Sequence, residues 1–140
     1  MKAKIKLLAK DVKVPAHGRL GDAGLDLYSR ESVVLKPGER HLFKLGFAIE
    51  IPSDMVALIW DRSGMATKFG IHSMAGVIDS NYRGEIGILL LNTTDKDYEF
   101  KIGDKIAQML IQKFEATEFE VVDELGDTER GEAGFLSSGK

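Results

Sequence analysis

Apolar and polar residues alternate with a period of two along most of this chain. Phe43, Leu45, Phe47, Ile49 and Ile51 alternate with Arg40, Leu42, Lys44, Ala48 and Glu50. That pattern predicts a half-buried strand through 40–51. A turn at Lys36-Pro37-Gly38-Glu39 leads into it, where proline presets φ and glycine can take a positive φ. Similar short runs occupy 32–35, 55–60, 85–92, 98–102, 105–114 and 119–122. Polar turns such as Asn92-Thr93-Thr94-Asp95 and Ile102-Gly103-Asp104 separate several of them. Near the N-terminus, Lys2, Lys4 and Lys6 alternate with Ala3, Ile5 and Leu7, which predicts a strand with a solvated lysine face. Only 64–69 reads as a helix, with Ser63 as its candidate N-cap. The lone Trp60 reads as core. Many short strands at this spacing predict an all-β sandwich or barrel.

Composition sharpens this picture. With 140 residues, 44% of them hydrophobic, the chain is the size of one domain and can bury a sizeable core. From Gly126 onward apolar residues become sparse and glycine recurs. The expected division is therefore a β-barrel domain over 1–125 and a flexible C-terminal arm over 126–140. Such an arm cannot build a core of its own. It either frays or orders on a ligand or a neighbouring subunit. The net charge of −3 argues against a general nucleic-acid or membrane-surface binder. The absence of cysteine excludes disulfides and thiolate metal sites. No apolar run approaches the length of a bilayer span, and the N-terminus lacks a long apolar segment. A soluble cytoplasmic protein is expected.

Five segments carry candidate chemistry. Gly76-Val77-Ile78-Asp79-Ser80-Asn81-Tyr82-Arg83-Gly84-Glu85 sets a carboxylate and a phenol three residues apart in a turn-rich stretch. Asp79 follows an apolar pair, at the edge of a packed region, where it could orient a water. Asp, Ser and Asn also simply make turns. In Ala23-Gly24-Leu25-Asp26-Leu27, Asp26 either braces a turn or binds a hydrated cation, and the residues alone favour the brace. Asp61-Arg62-Ser63-Gly64-Met65-Ala66 opens the short helix. It offers either an anion site with a planar guanidinium or an N-cap beside a solvated arginine. Gln108, in Lys105-Ile106-Ala107-Gln108-Met109, is a lone amide in an apolar strand and must pair with backbone or ligand. Arg130-Gly131-Glu132-Ala133-Gly134-Phe135-Leu136-Ser137-Ser138-Gly139 combines a cation, glycines, hydroxyls and one aromatic ring, as a phosphate cradle with a stacking platform would. His17, His41 and His72 have no metal-ligand spacing.

In this order and at these spacings, the five segments resemble the five motifs of the trimeric dUTP diphosphatases (dUTPases). The resemblance runs from about Ala23 to Gly139. It implies a distorted jelly-roll β-barrel assembled as a homotrimer, with each active site drawn from three subunits. It implies hydrolysis of dUTP to dUMP and pyrophosphate, with Mg²⁺ on the triphosphate. By position, Asp79 resembles the aspartate that activates water for attack on the α-phosphorus. Tyr82 resembles the tyrosine beneath the deoxyribose. The backbone of Met74, Ala75, Gly76, Val77 and Ile78 would read the uracil edge. Arg62, Ser63, Gly64 and Gln108 resemble phosphate binders. Arg130 resembles the arm arginine on the γ-phosphate, and Phe135 the ring over uracil. Asp26 resembles the carboxylate that supports the site and the hydrated magnesium. The chain departs from the family pattern at Asp61, where proline is usual, and at Asn81, Ala133, Leu136 and Ser138. The rival readings are a dCTP deaminase on a related fold, usually longer and with a glutamate base, and a non-catalytic regulatory protein that keeps the fold.

Overall fold

A computed structural model describes residues 1–132 and 134. Among these the chain forms strands β1 (Lys4–Leu7), β2 (Ala16–His17), β3 (Leu25–Tyr28), β4 (Val33–Leu35), β5 (Arg40–Lys44), β6 (Phe47–Glu50) and β7 (Met55–Trp60). Helix α1 (Ser63–Phe69) follows, then β8 (Ile71–Met74), β9 (Val77–Asp79), β10 (Gly87–Asn92), β11 (Tyr98–Phe100) and β12 (Lys105–Lys113). Every strand pairing is antiparallel. The strands form a five-stranded sheet ordered β2-β3-β12-β7-β9, a three-stranded sheet β5-β10-β8, and the pairs β1-β6 and β11-β4. Together they make a distorted jelly-roll barrel.

The alternation explains the core. Leu27, Phe43, Ala57, Ile88, Leu90 and Met109 are buried, while their sequence neighbours face outward or are half-covered; around Phe47 and Ile106 the chain is buried on both faces. Phe43 and Phe100 meet edge-on at 4.9 Å between ring centres. Asn92 is fully buried but satisfied. Its amide nitrogen donates to the carbonyls of Leu35 and Lys96, and its oxygen accepts from Thr94.

Four local expectations differ from the structure. The run 40–51 is two strands in two sheets, because Gly46, at φ 74°, turns the chain between β5 and β6. A side chain at Gly46 would also strike Arg30 and Val12. Segment 119–122 is an exposed coil with no strand partner, and Phe119 and Val121 are almost fully exposed. Trp60 is exposed rather than core, since Ile59 takes the inward position beside it. The N-cap is Arg62, in extended conformation and with no side-chain cap bond; Ser63 is the first helical residue.

Candidate active site

The candidate residues fall into two clefts. The larger, of about 1160 Å³, contains Asp26, Arg62, Ser63, Gly64 and Gln108. The smaller, of about 360 Å³, contains Met74, Ala75, Gly76, Val77, Ile78, Asp79 and Tyr82.

In the larger cleft, β3 and β12 pair so that Gln108 lies opposite Asp26. A register shift between Lys105 and Ala107 brings Lys105 to the same place. Lys105 Nζ is 2.6 Å from one Asp26 oxygen, and Arg62 Nε is 3.4 Å from the other. Asp26 is thus a brace between two cations. A polyanion suits such a pair of cations. Both Asp26 oxygens are engaged by these cations, and no group of three or more His, Cys, Asp or Glu among the described residues could hold a metal ion.

Gln108 donates from Nε2 to the Asp61 carbonyl at 2.8 Å. Its Oε1 lies over Gly24, where an added Cβ would collide with it. Asp61 itself crosses to β8. Its Oδ1 accepts the Ser73 N–H at 2.6 Å, and its Oδ2 accepts from His72 Nδ1 at 2.7 Å. Burial alone would raise the Asp61 pKa. The hydrogen bonds from His72 and Ser73 and the charge on His72 outweigh it and hold the carboxyl below its ordinary value of 3.8. The stabilisation is therefore complete above that value and is lost only as pH falls through the lower folded value. Sequence reasoning gave Lys105 and Asp61 no functional role, although Asp61 stood out where the family usually has proline. The bulge at Lys105 has no clear sequence signal, whereas an acid at the strand-to-helix junction was a visible one.

In the smaller cleft, β8 and β9 join through a tight turn. Ala75 is the one described non-glycine residue at positive φ, 62°, a conformation that costs about 1–3 kcal/mol and concentrates at functional sites. Gly76 packs directly on β7. Its carbonyl accepts the Ile59 N–H at 2.8 Å, and a Cβ there would lie 2.9 Å from the Ile59 oxygen. This β8–β9 hairpin, whose two arms pair with β10 and β7 and not with each other, is therefore rigidly held with its tip in an unusual conformation. Asp79 ends β9 and is exposed. The Tyr82 ring covers Gly84, and its hydroxyl donates to the Glu85 carbonyl at 3.1 Å. Glu85 in turn accepts the Gly46 N–H at 2.9 Å. The phenol is thus oriented while half of it stays accessible.

Arg130 lies in an exposed turn, where Gly131 N–H bonds to Thr128. Phe135 lies outside the described residues, as do Leu136 and Ser138.

Comparison with known proteins places this geometry. The family model for dUTPase matches residues 10–139. The chain is 43% identical over 139 residues to a deoxyuridine 5'-triphosphate nucleotidohydrolase of Clostridium tetani, covering 98% of this chain and 96% of that protein. It is 46% identical over 142 residues to the enzyme of the same name from Nautilia profundicola, covering both in full. Its fold is similar to that of the Staphylococcus bacteriophage 80alpha dUTPase with dUPNHPP, at TM-score 0.92 and 31% identity over 99% of each chain. It is also similar to a mutant dUTPase of phage phi11 of S. aureus, at TM-score 0.84 and 27% identity, covering 91% of this chain and 100% of that one; that structure reveals the coordination of a structural Mg(II) ion.

Proposed function

The chain belongs to the dUTPase family, and on that premise we propose how it hydrolyses dUTP to dUMP and pyrophosphate. The substrate enters as the magnesium complex of dUTP, with the metal carried by the triphosphate. The hairpin Met74–Ile78 reads uracil through fixed backbone groups. Tyr82 packs beneath the deoxyribose and leaves no room for a 2′-hydroxyl. Arg62, Ser63, Gly64 and Gln108 hold the phosphates, with Asp26 set between Arg62 and Lys105. Asp79 takes a proton from the water that attacks the α-phosphorus, and pyrophosphate leaves. Positioning and charge neutralisation supply most of the rate in such a reaction. The arm from Gly126 closes over the nucleotide, with Arg130 on the γ-phosphate and Phe135 over uracil. The reaction keeps uracil out of DNA and supplies dUMP. It takes place in the cytoplasm. Among the described residues, no helix is long and apolar enough to cross a membrane.

We further propose that the working unit is a homotrimer with shared sites. One observation carries this. Gln108 pairs with Trp60 on β7, and Gln112 pairs with Val56, which pairs with Asp79. Asp79 therefore lies four residues of strand and two strand spacings from Gln108. At a rise of about 3.3 Å per residue and a spacing of about 4.8 Å, their backbones stand roughly 16 Å apart. Both groups must lie within about 3–4 Å of one reacting phosphate or its water. In one chain the two groups are held far apart, at opposite ends of the sheet face, which supports a site completed by a second copy. Cross-strand partners project to the same face, so Asp26, Gln108 and Trp60 share the outer face of the sheet with Leu110, Leu58 and Val77 and with Val56 and Asp79. Trp60 and Val77 are exposed on that apolar strip, at 56% and 68%. A second copy that covers the strip brings its own hairpin to this chain's phosphate cleft. Light scattering at micromolar concentration tests this: a trimer is expected, and a monomer contradicts it.

Two substitutions test the residue roles. In Gly24→Ala the new methyl displaces the Gln108 amide, so KM for dUTP should rise by about tenfold with the fold retained. An unchanged KM removes Gln108 from phosphate binding. Tyr82→Ala should raise the use of UTP relative to dUTP, read as the ratio of the two kcat/KM values. An unchanged ratio makes Tyr82 a packing residue only.

A further inference from the structure

Asp61 joins three elements around the larger cleft, and no step above uses it. It immediately precedes the phosphate-binding segment 62–64. Local structure fixes that segment poorly. The N-terminus of α1 has no side-chain cap. Gly64 has open space around it. The Arg62 contacts to Asp26 and to the Lys105 carbonyl, at 3.4 and 3.5 Å, are long. Asp61, by contrast, makes three short bonds to two other strands. Its carboxylate accepts from Ser73 N–H at 2.6 Å and His72 Nδ1 at 2.7 Å, both on β8. Its carbonyl accepts from Gln108 Nε2 at 2.8 Å, on β12. The side chain is three-quarters covered, at 25% exposure. A carboxylate with two charge-assisted or short bonds is a stronger tether than a neutral contact.

We infer that Asp61 is a positioning residue for triphosphate binding: its carboxylate anchors the 61–64 segment to β8, and its carbonyl thereby sets the direction of the Gln108 amide. The carboxylate acts through Arg62 and Gln108 and touches no substrate atom. Gly24 completes the device from the other side, because only a residue without Cβ leaves room for Gln108 Oε1. The arrangement couples two phosphate-binding elements, so a loss at residue 61 is felt at both. This inference rests on the reading of the larger cleft as the phosphate site.

The test compares kcat, KM for Mg–dUTP, and inhibition constants for pyrophosphate and for deoxyuridine in four variants. Asp61→Ala should raise KM and the pyrophosphate constant together by about 10-fold, the worth of two hydrogen bonds of ordinary strength. The deoxyuridine constant should stay within about 2-fold of wild type, since the nucleoside binds at the hairpin and gains nothing from the lost bonds. Asp61→Asn keeps an acceptor for Ser73 and should recover most of the loss. His72→Ala keeps the Ser73 bond and should raise KM by about 3-fold; it carries the test if Asp61→Ala yields no folded protein. Unchanged KM in these variants, or an equal loss of deoxyuridine and pyrophosphate affinity, overturns the inference. Arg62→Ala separates the two layers of the argument. If its KM is unchanged, the phosphate reading itself fails. If its KM rises while Asp61→Ala and His72→Ala do not respond, only the role of Asp61 fails.

Discussion

Asp79→Asn lowers kcat for dUTP by about 10²–10⁴-fold, the usual worth of a general base. The amide keeps the shape of the side chain but cannot accept a proton from water. Asp79 is exposed at the end of β9 and makes no contribution to the core, so the fold and its melting temperature should be unaffected. Binding of a non-hydrolysable dUTP analogue should change far less than turnover, because the phosphates and uracil are held elsewhere. Pyrophosphate release under saturating Mg–dUTP reads the first quantity, and isothermal titration with the analogue reads the second. A variant with near-normal turnover removes Asp79 from the chemistry.

Truncation before Arg130 abolishes most activity and leaves a folded protein. Among the described residues, the core cluster draws no buried residue from beyond Met109, and the partly buried residues packed on it end at Ile111. Residues 112–132 are all exposed. Loss of the residues from Arg130 onward should therefore shift the melting temperature by less than about 4 °C, a change equivalent to ~1 kcal/mol in a domain of this size. Activity should fall because the clamp on the γ-phosphate and the cover over uracil leave together. Leu136 follows Phe135 in sequence, at a position where the family pattern usually has glycine. Leu136→Gly should lower KM by giving the arm more conformations from which to close. A truncated chain with full activity would show that the arm plays no part.

The fold class was legible in the sequence because period-two alternation is a direct consequence of a sheet with one buried face. β7, β10, β11 and β12 all lie within runs read that way. The break at Gly46 was not legible, because alternation continues across it; only the positive φ of one glycine separates two sheets there. Trp60 misled for a related reason. Apolar character predicts burial, but this strand places Ile59 inward and turns Trp60 to the outer face. Phe119, Val121 and Leu125 are also exposed, and the strand-like pattern at 119–122 has no partner strand among the described residues. Short strands such as β2, β8 and β9 carry too few residues for any period to show.

The candidate site was legible residue by residue and not in its arrangement. Motif order puts forward Asp26, Arg62, Gln108, Asp79 and Tyr82 as candidates without saying that they divide between two clefts. That division depends on the register of β12 against β7 and of β7 against β9, which fixes Gln108 and Asp79 at opposite ends of one sheet face. Supporting residues were less visible still. Lys105 reaches Asp26 through a bulge, and Asp61 reaches His72 and Ser73 across the helix. Neither contact follows from local spacing.

The most direct measurement of the shared site mixes two defective variants, one in each cleft. Asp79→Asn disables the hairpin cleft and Arg62→Ala the phosphate cleft. Each is purified, unfolded, mixed in equal amounts and refolded, then assayed for pyrophosphate release at dUTP below KM. If the two clefts that make one site come from different chains, about a quarter of the sites in randomly assembled trimers pair an intact hairpin with an intact phosphate cleft. Activity should then recover to about that fraction of wild type, far above either variant alone. A mixture no more active than the sum of its parts would contradict shared sites and return both clefts to a single chain.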